Sequence, residues 1–252
     1  MALCFRLLGL EELQLIVHVV PQTGPTALDA IEAASGGIVT ANSGAADLVL
    51  VNGQNAPQIE MRAGQWYRWR LLFVSINHHA TLTTTGSGCE FGVLAKDGIY
   101  VEDAPRALSY MKFVSGNRVD VVIRCTAGST LASSAAAAAD AAGRRRRMQG
   151  GGGAAAEIAD MTLATIVVTG ADSSDGSLAD LAFTPRYPAY LEDLRSVTVH
   201  GSKEIAIAGG GGCTVNDEAW AGDGSDHMFA VYESTYEEYT VTAAAHPIHI
   251  HV

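Results

Sequence analysis

Hydrophobic and polar positions alternate most clearly over Trp66–Val74, WYRWRLLFV, where Tyr67, Trp69 and Leu71 fall on one face and Arg68 and Arg70 on the other. A period of two predicts a strand with one buried face. Leu13–Val20 is rich in β-branched residues, ends at Pro21 and predicts a second, buried strand. Shorter runs follow at Ala46–Val51, Ile59–Met61, Ala80–Thr85, Cys89–Leu94, Ser109–Phe113 and Arg118–Arg124. Turn residues stand between them: Asn52-Gly53, Ala63-Gly64, Asp97-Gly98 and Ser115-Gly116-Asn117. Short strands punctuated in this way predict a β-sandwich or barrel rather than a βαβ fold.

Residues 126–157 break the pattern with alanine, arginine and glycine tracts. No apolar face runs through them, so they read as a low-complexity surface insertion. The strand pattern returns at Met161–Thr169, which suggests a hairpin with Arg118–Arg124 on the other side of the insertion. The first domain is therefore expected over residues 1–172 and a linker over 173–195, where DSSDGSLAD is followed by two prolines. Strands are expected again at Ser196–His200, Glu204–Ala208, Cys213–Val215, His227–Tyr232 and Glu237–Thr242. This last part, residues 196–252, is short for a sandwich of about 100 residues, so it is expected to be the front of a truncated domain.

The chain has 252 residues, enough for one large or two modest domains, with 48% hydrophobic and only 7% aromatic residues. Its formal net charge of −11 argues against nucleic acid or an anionic membrane as partner. The one basic run, Arg144–Arg147, is too short to reverse that. No apolar run approaches the ~20 residues of a membrane-spanning helix. The first twenty residues lack a signal-peptide layout because Glu11 and Glu12 interrupt the apolar stretch. The four cysteines, Cys4, Cys89, Cys125 and Cys213, form no CxxC pair, which removes zinc ribbons and thioredoxin-like motifs. Cys89 and Cys125 can pair only if their strands are neighbours.

The candidate chemistry lies in the last seven residues, HPIHIHV. Neutral imidazole is a common ligand for zinc and copper. On an extended strand His249 and His251 share a face, whereas His246 falls on the other, and Pro247 favours a bend or strand entry between them. The spacing suits two separate metal positions better than one. His18, His200 and His227 read as structural or simply exposed. The pair His78-His79 is a weak metal candidate.

HPIHIHV resembles the His-Pro-x-His-x-His motif in the C-terminal cupredoxin domain of the multicopper oxidases, the group that includes laccases, bilirubin oxidases and spore-coat oxidases. Upstream elements are similar to the second domain of that family. They are Leu50-Val51-Asn52-Gly53-Gln54 with Pro57, the strand Tyr67–Leu72, Phe91–Gly98 with its Ala-x-Asp-Gly ending, and Gly116–Val121. Val215-Asn216, Trp220 and Glu237–Val241 are similar to the third domain ahead of its histidines. The resemblance implies an all-β chain of tandem cupredoxin-like Greek-key sandwiches, the second incomplete. It implies copper, with His246 at the type 1 site and His249 and His251 at the type 2/type 3 trinuclear cluster. It also implies one-electron oxidation of phenols, pigments or metal ions coupled to reduction of dioxygen to water, and a secreted or periplasmic setting.

The pattern also departs from the family. No cysteine sits in a His-Cys-His context, Asn216-Asp217 replaces the usual Asn-Gly, and no first-domain histidine motif is present. Three imidazoles cannot hold four coppers, and a blue copper centre needs two histidines and a cysteine. The sequence is thus expected to be a fragment, inactive as an oxidase by itself, that lacks a first domain and a His-Cys-His segment. A non-catalytic cupredoxin-like module that binds copper or another protein is the alternative. A zinc hydrolase would need a carboxylate at helical spacing from the histidines, and none is there.

Overall fold

The computed structural model of the protein describes residues 9–21, 47–75, 78–134, 156–171, 173, 175–187, 190, 192–208, 214–219 and 232–243. The chain divides into two compact units, the first covering Met1–Arg146 and Ala156–Pro185, the second Arg147–Ala155 and Arg186–Val252. Among the described residues there is no α-helix; the ordered elements are strands and two short 3-10 turns.

The strands of the first unit are, in chain order, β1 (Glu11–Pro21), β2 (Asp47–Val51), β3 (Gln58–Arg62), β4 (Trp66–Val74), β5 (His78–Thr84) and β6 (Cys89–Lys96). They continue with β7 (Ile99–Tyr100), β8 (Arg106–Leu108), β9 (Met111–Val114), β10 (Arg118–Cys125), β11 (Ser129–Ser133), β12 (Ala156–Glu157) and β13 (Met161–Thr169). One sheet runs β2-β1-β4-β10-β6-β7, with β8 also on β6; the other runs β12-β5-β11-β13-β3, with β9 also on β5. The alternation read in β4 holds: Tyr67, Trp69, Leu71 and Phe73 enter the core while Arg68 and Arg70 point away from it. Facing them from the second sheet are Ile59, Met61, Ala80, Leu82, Phe113, Leu131, Leu163 and Ile166. Phe73 and Phe113 meet across the two layers at 6.1 Å between ring centroids.

The structure corrects three expectations about strands. Arg118–Arg124 and Met161–Thr169 do not form a hairpin: β10 pairs with β4 and β6 in one sheet, and β13 with β11 and β3 in the other. The insertion read over 126–157 begins with a strand, β11, whose Leu131 is fully buried; it escapes notice because Ser-Thr-Leu-Ala-Ser carries one bulky apolar residue. The strand expected at Ser109–Phe113 begins only at Met111, because Ser109-Tyr110 carry the chain from β8 in the first sheet to β9 in the second.

The outer face of the first sheet carries a second apolar layer of Trp66, Leu94, Ala95, Ala104, Val122 and Leu181. Residues 175–183, within the stretch expected to link the domains, form part of it. The Asp175 carboxylate accepts from Trp66 N at 3.2 Å, the Gly176 carbonyl accepts from Trp66 Nε1 at 3.3 Å, and Phe183 bridges Ala104. Leu178 packs against Gly92, where an added Cβ would lie 3.1 Å from its methyl groups and would force Leu178 to give way by a few tenths of an ångström.

The second unit has β14 (Gly201–Ala208), β15 (Thr214–Val215), β16 (Glu218–Ala219) and β17 (Glu237–Ala243), in the order β16-β15-β14-β17. Its opening repeats that of the first unit. β1 is antiparallel to β2 and parallel to β4; β14 is antiparallel to β15 and parallel to β17. After β2, Asn52 at φ 51° accepts from Ile16 N through Oδ1 (2.8 Å) and donates through Nδ2 to the Gln14 carbonyl (2.9 Å). After β15, Asn216 at φ 52° accepts from Ala206 N (2.7 Å) and donates to the Glu204 carbonyl (3.1 Å). Both asparagines thus clasp the first strand of their unit from a left-handed turn, a conformation that asparagine tolerates better than most residues. No strand forms at Ser196–His200, where a 3-10 turn ends at Ser196, and the strand expected at Glu204–Ala208 begins earlier, at Gly201. Of the strand expected at His227–Tyr232, residues 227–231 lie outside the described residues.

The clasp carries a prediction. Asn52→Ala and Asn216→Ala each remove two hydrogen bonds and leave alanine in the left-handed region, so each should cost about 1–2 kcal/mol. Amide hydrogen exchange reads this directly, with lost protection expected at Ile16 in the first variant and at Ala206 in the second. Unchanged protection at those amides would show that the side chains are bystanders.

Candidate metal centre

The sequence-predicted ligands His246, His249 and His251 lie outside the described residues, as do His227, Cys4 and Cys213. The described histidines are His18, His78, His79 and His200. His18 is exposed on β1. His78 is buried at the start of β5, and Nε2 of His79 pairs with Glu157 on the adjoining β12 at 2.7 Å. His200 stacks on Tyr236, and its Nδ1 accepts from Tyr236 N at 3.0 Å.

Among the described residues no group of three His, Cys, Asp or Glu side chains is placed to hold a metal ion. Cys89 and Cys125 stand opposite each other on β6 and β10 and are joined in a disulfide, so neither offers a thiolate. The sequence left that pairing open because it depends on which strands are neighbours.

The other motif residues have structural tasks. Asp97, in the turn after β6, donates its N–H to the Arg118 carbonyl at 2.8 Å and accepts from Arg118 N at 3.0 Å. Asn117 Oδ1 accepts from Val114 N at 3.0 Å. The Ala-x-Asp-Gly and Gly-x-Arg-x-Asp elements are therefore two halves of one joint, which ties the β6–β7 turn to the start of β10. On the outer face of the sheet, Arg68 pairs with Glu12 on β1 at 3.0 Å and with Asp120 on β10, and Arg70 reaches Asp120 at 3.5 Å. Burial works against the charge on Arg68, but the hydrogen bond and charge of Asp120, with Tyr100 and Glu12, outweigh it and raise its pKa above the ordinary value. This network crosses three strands and holds their order; no reacting group is in it.

Two facing sheets with a Greek-key crossing, repeated at its opening in a second unit, give the chain a cupredoxin-like fold. Comparison with known proteins agrees. Residues 22–145, just under half of the chain, match the profile of the multicopper oxidase (Cu-oxidase) family. The McoA multicopper oxidase of the hyperthermophile Aquifex aeolicus has a similar fold, with a TM-score of 0.54 at 15% identity over 84% of this chain and 42% of that one. A multicopper oxidase from Campylobacter jejuni, described as a metallo-oxidase, aligns with a TM-score of 0.45 at 19% identity over 80% of this chain and 36% of its own. The chain thus spans about two fifths of the length of these structures. No curated protein sequence matches the chain. The family implies copper, but the described residues do not by themselves supply a copper site.

Proposed function

We propose that this chain is part of a multicopper oxidase and that His246, His249 and His251 are its copper ligands. His246 serves a type 1 site, and His249 and His251 serve the trinuclear cluster. The observation that carries this reading is the repeat between the two units, taken with the His-Pro-x-His-x-His motif. Gln14 pairs with Arg70 in the first unit and Glu204 with Thr240 in the second. Continued without a gap, that register aligns His249 with His79 and His251 with Thr81. In β5 the intervening Ala80 and the following Leu82 enter the core, while His79 and Thr81 have the opposite parity. The repeat therefore supports a common face for His249 and His251, with Ile250 between them on the opposite one. Ile248 aligns with His78 at the start of β5, and His246 and Pro247 with the two positions before it, where a proline is tolerated.

In the whole protein this reading implies that a small reducing substrate is oxidised by single electrons and dioxygen is reduced to water. The remaining copper ligands are assigned to the part of the family's length that this chain does not span. The part in hand contributes imidazoles and the rigid sandwich that orients them.

Metal retention by the purified full chain tests the assignment. After loading with copper and desalting, the wild type should keep copper measurable by mass spectrometry. The variant carrying both His249→Ala and His251→Ala should bind it at least about 10–100-fold more weakly, since losing even an outer-sphere partner of a metal ligand costs that much. Equal retention by the two proteins would reject the assignment. In the same preparations, oxygen uptake with a phenol should remain at background; robust turnover with stoichiometric blue copper would show a complete oxidase.

A further inference from the structure

We propose that a cavity at the edge of the first sandwich binds small aromatic carboxylates through Lys96 and Lys112. The cavity, of about 650 Å³, opens where the chain crosses from one sheet to the other. Leu108 lines it beside Met111 and Val119, the last two of which belong to the buried core. Tyr110 stands half-buried in its wall, and the Ser109 carbonyl is engaged by the Thr83 hydroxyl at 2.8 Å, which fixes the crossing segment.

The charge at this place is unusual for the molecule. The chain has three lysines and a net charge of −11, yet two of the three line this one cavity. The third, Lys203, has Glu237 beside it at 3.6 Å. Lys96 and Lys112 have no ion-pair partner among the described residues, and no acidic side chain lines the cavity. The nearest acid in sequence, Asp97, is occupied by Arg118. Two unneutralised ammonium groups beside Leu108 and Tyr110 suit an anion with a flat apolar body, in a cavity whose size is usual for small-molecule sites. An aromatic body can pack on Tyr110. A small anion is favoured over an acidic protein or nucleic acid: the net negative charge repels a polyanion over its whole length, whereas a small ligand feels chiefly the charges within about 10 Å.

The probe is 2,6-naphthalenedicarboxylate, whose own fluorescence reports binding by anisotropy, with its neutral dimethyl ester as control. Saturable binding of the dicarboxylate in the roughly millimolar range or tighter, with little for the ester, is expected. Lys96→Met and Lys112→Met keep the apolar stems and should each weaken binding by about tenfold, the worth of one hydrogen bond to a charged group. Both lysines are exposed, so thermal melting should be unchanged in the variants and should exclude unfolding as the cause. Equal binding of the ester, undiminished binding by the double lysine variant, or no saturable binding by the wild type would each overturn the proposal. So would binding of poly-glutamate at these lysines without binding of the dicarboxylate, which would make the cavity a protein-docking face.

Discussion

Trp69→Ala should lower the unfolding free energy of the first unit by about 3–5 kcal/mol, the cost of deleting a large aromatic side chain from a packed core. Trp69 is fully buried at the centre of β4, with Leu13 of β1 on one side and Val121 of β10 on the other. It also lies between Tyr67 and Leu71 on the same face. Single domains are stable by only about 5–15 kcal/mol, so this one change removes a large share of the total. Two controls make the result specific. Arg70→Ala, one residue away but exposed, should change stability by no more than about 0.5 kcal/mol apart from its long ion pair to Asp120. Trp69→Phe should cost much less than alanine, because the indole N–H has no hydrogen-bond partner in the core and its loss relieves a desolvated donor. Urea denaturation followed by circular dichroism measures all three. A loss below about 1 kcal/mol for the alanine variant would mean that β4 presents its other face to the core.

The second large effect is expected from the disulfide. Cys89 and Cys125 are separated by 36 residues, a segment that contains β7, β8 and β9 and so the whole crossing between sheets. A cross-link closing a loop of that size reduces the entropy of the unfolded chain by an amount worth about 4 kcal/mol in the simplest treatment, with 2–4 kcal/mol commonly realised. The pair joins the ends of adjacent strands beside two further bonds, Thr126 N to the Gly88 carbonyl at 2.7 Å and Gly64 N to the Cys125 carbonyl at 3.0 Å. The double variant Cys89→Ala/Cys125→Ala should therefore unfold at lower urea than the oxidised wild type. Alanine is the better replacement here because Cys125 is fully buried and a serine hydroxyl would lack a partner. Wild type kept reduced with a phosphine should behave like the variant. Coincident curves for oxidised and reduced protein would show that the bridge does not constrain the chain.

What could be read from the sequence follows from where the information lies. Alternation is local, so β4 and β1 were legible residue by residue, and Asn52-Gly53, Asp97-Gly98 and Gly116-Asn117 announced their turns. Pairing is not local. β10 and β13 look like hairpin partners when read in order, but the chain leaves the first sheet after Cys125 and returns in the second, which no spacing in the sequence states. β11 was missed because a strand packed at a close approach needs small side chains, and Ala132 and Ser133 give no hydrophobic signal. Arg68 and Asp120 were visible as residues of recurring motifs, but their contact depends on β4 and β10 being neighbours. The candidate copper ligands were legible only as a motif, through imidazoles at period two with a proline at the entry.

The asparagine clasp has a consequence for how the two units can diverge. A bond from a side chain to a backbone group makes no demand on which residue carries that group. Gln14 and Ile16 in one unit correspond to Glu204 and Ala206 in the other, yet the same N–H and C=O groups are held. The register of the first strand is thus inherited through a single side chain per unit. The core-facing positions such as Leu15, Val17 and Val19 must stay apolar, but the positions that the clasp itself holds are free to drift.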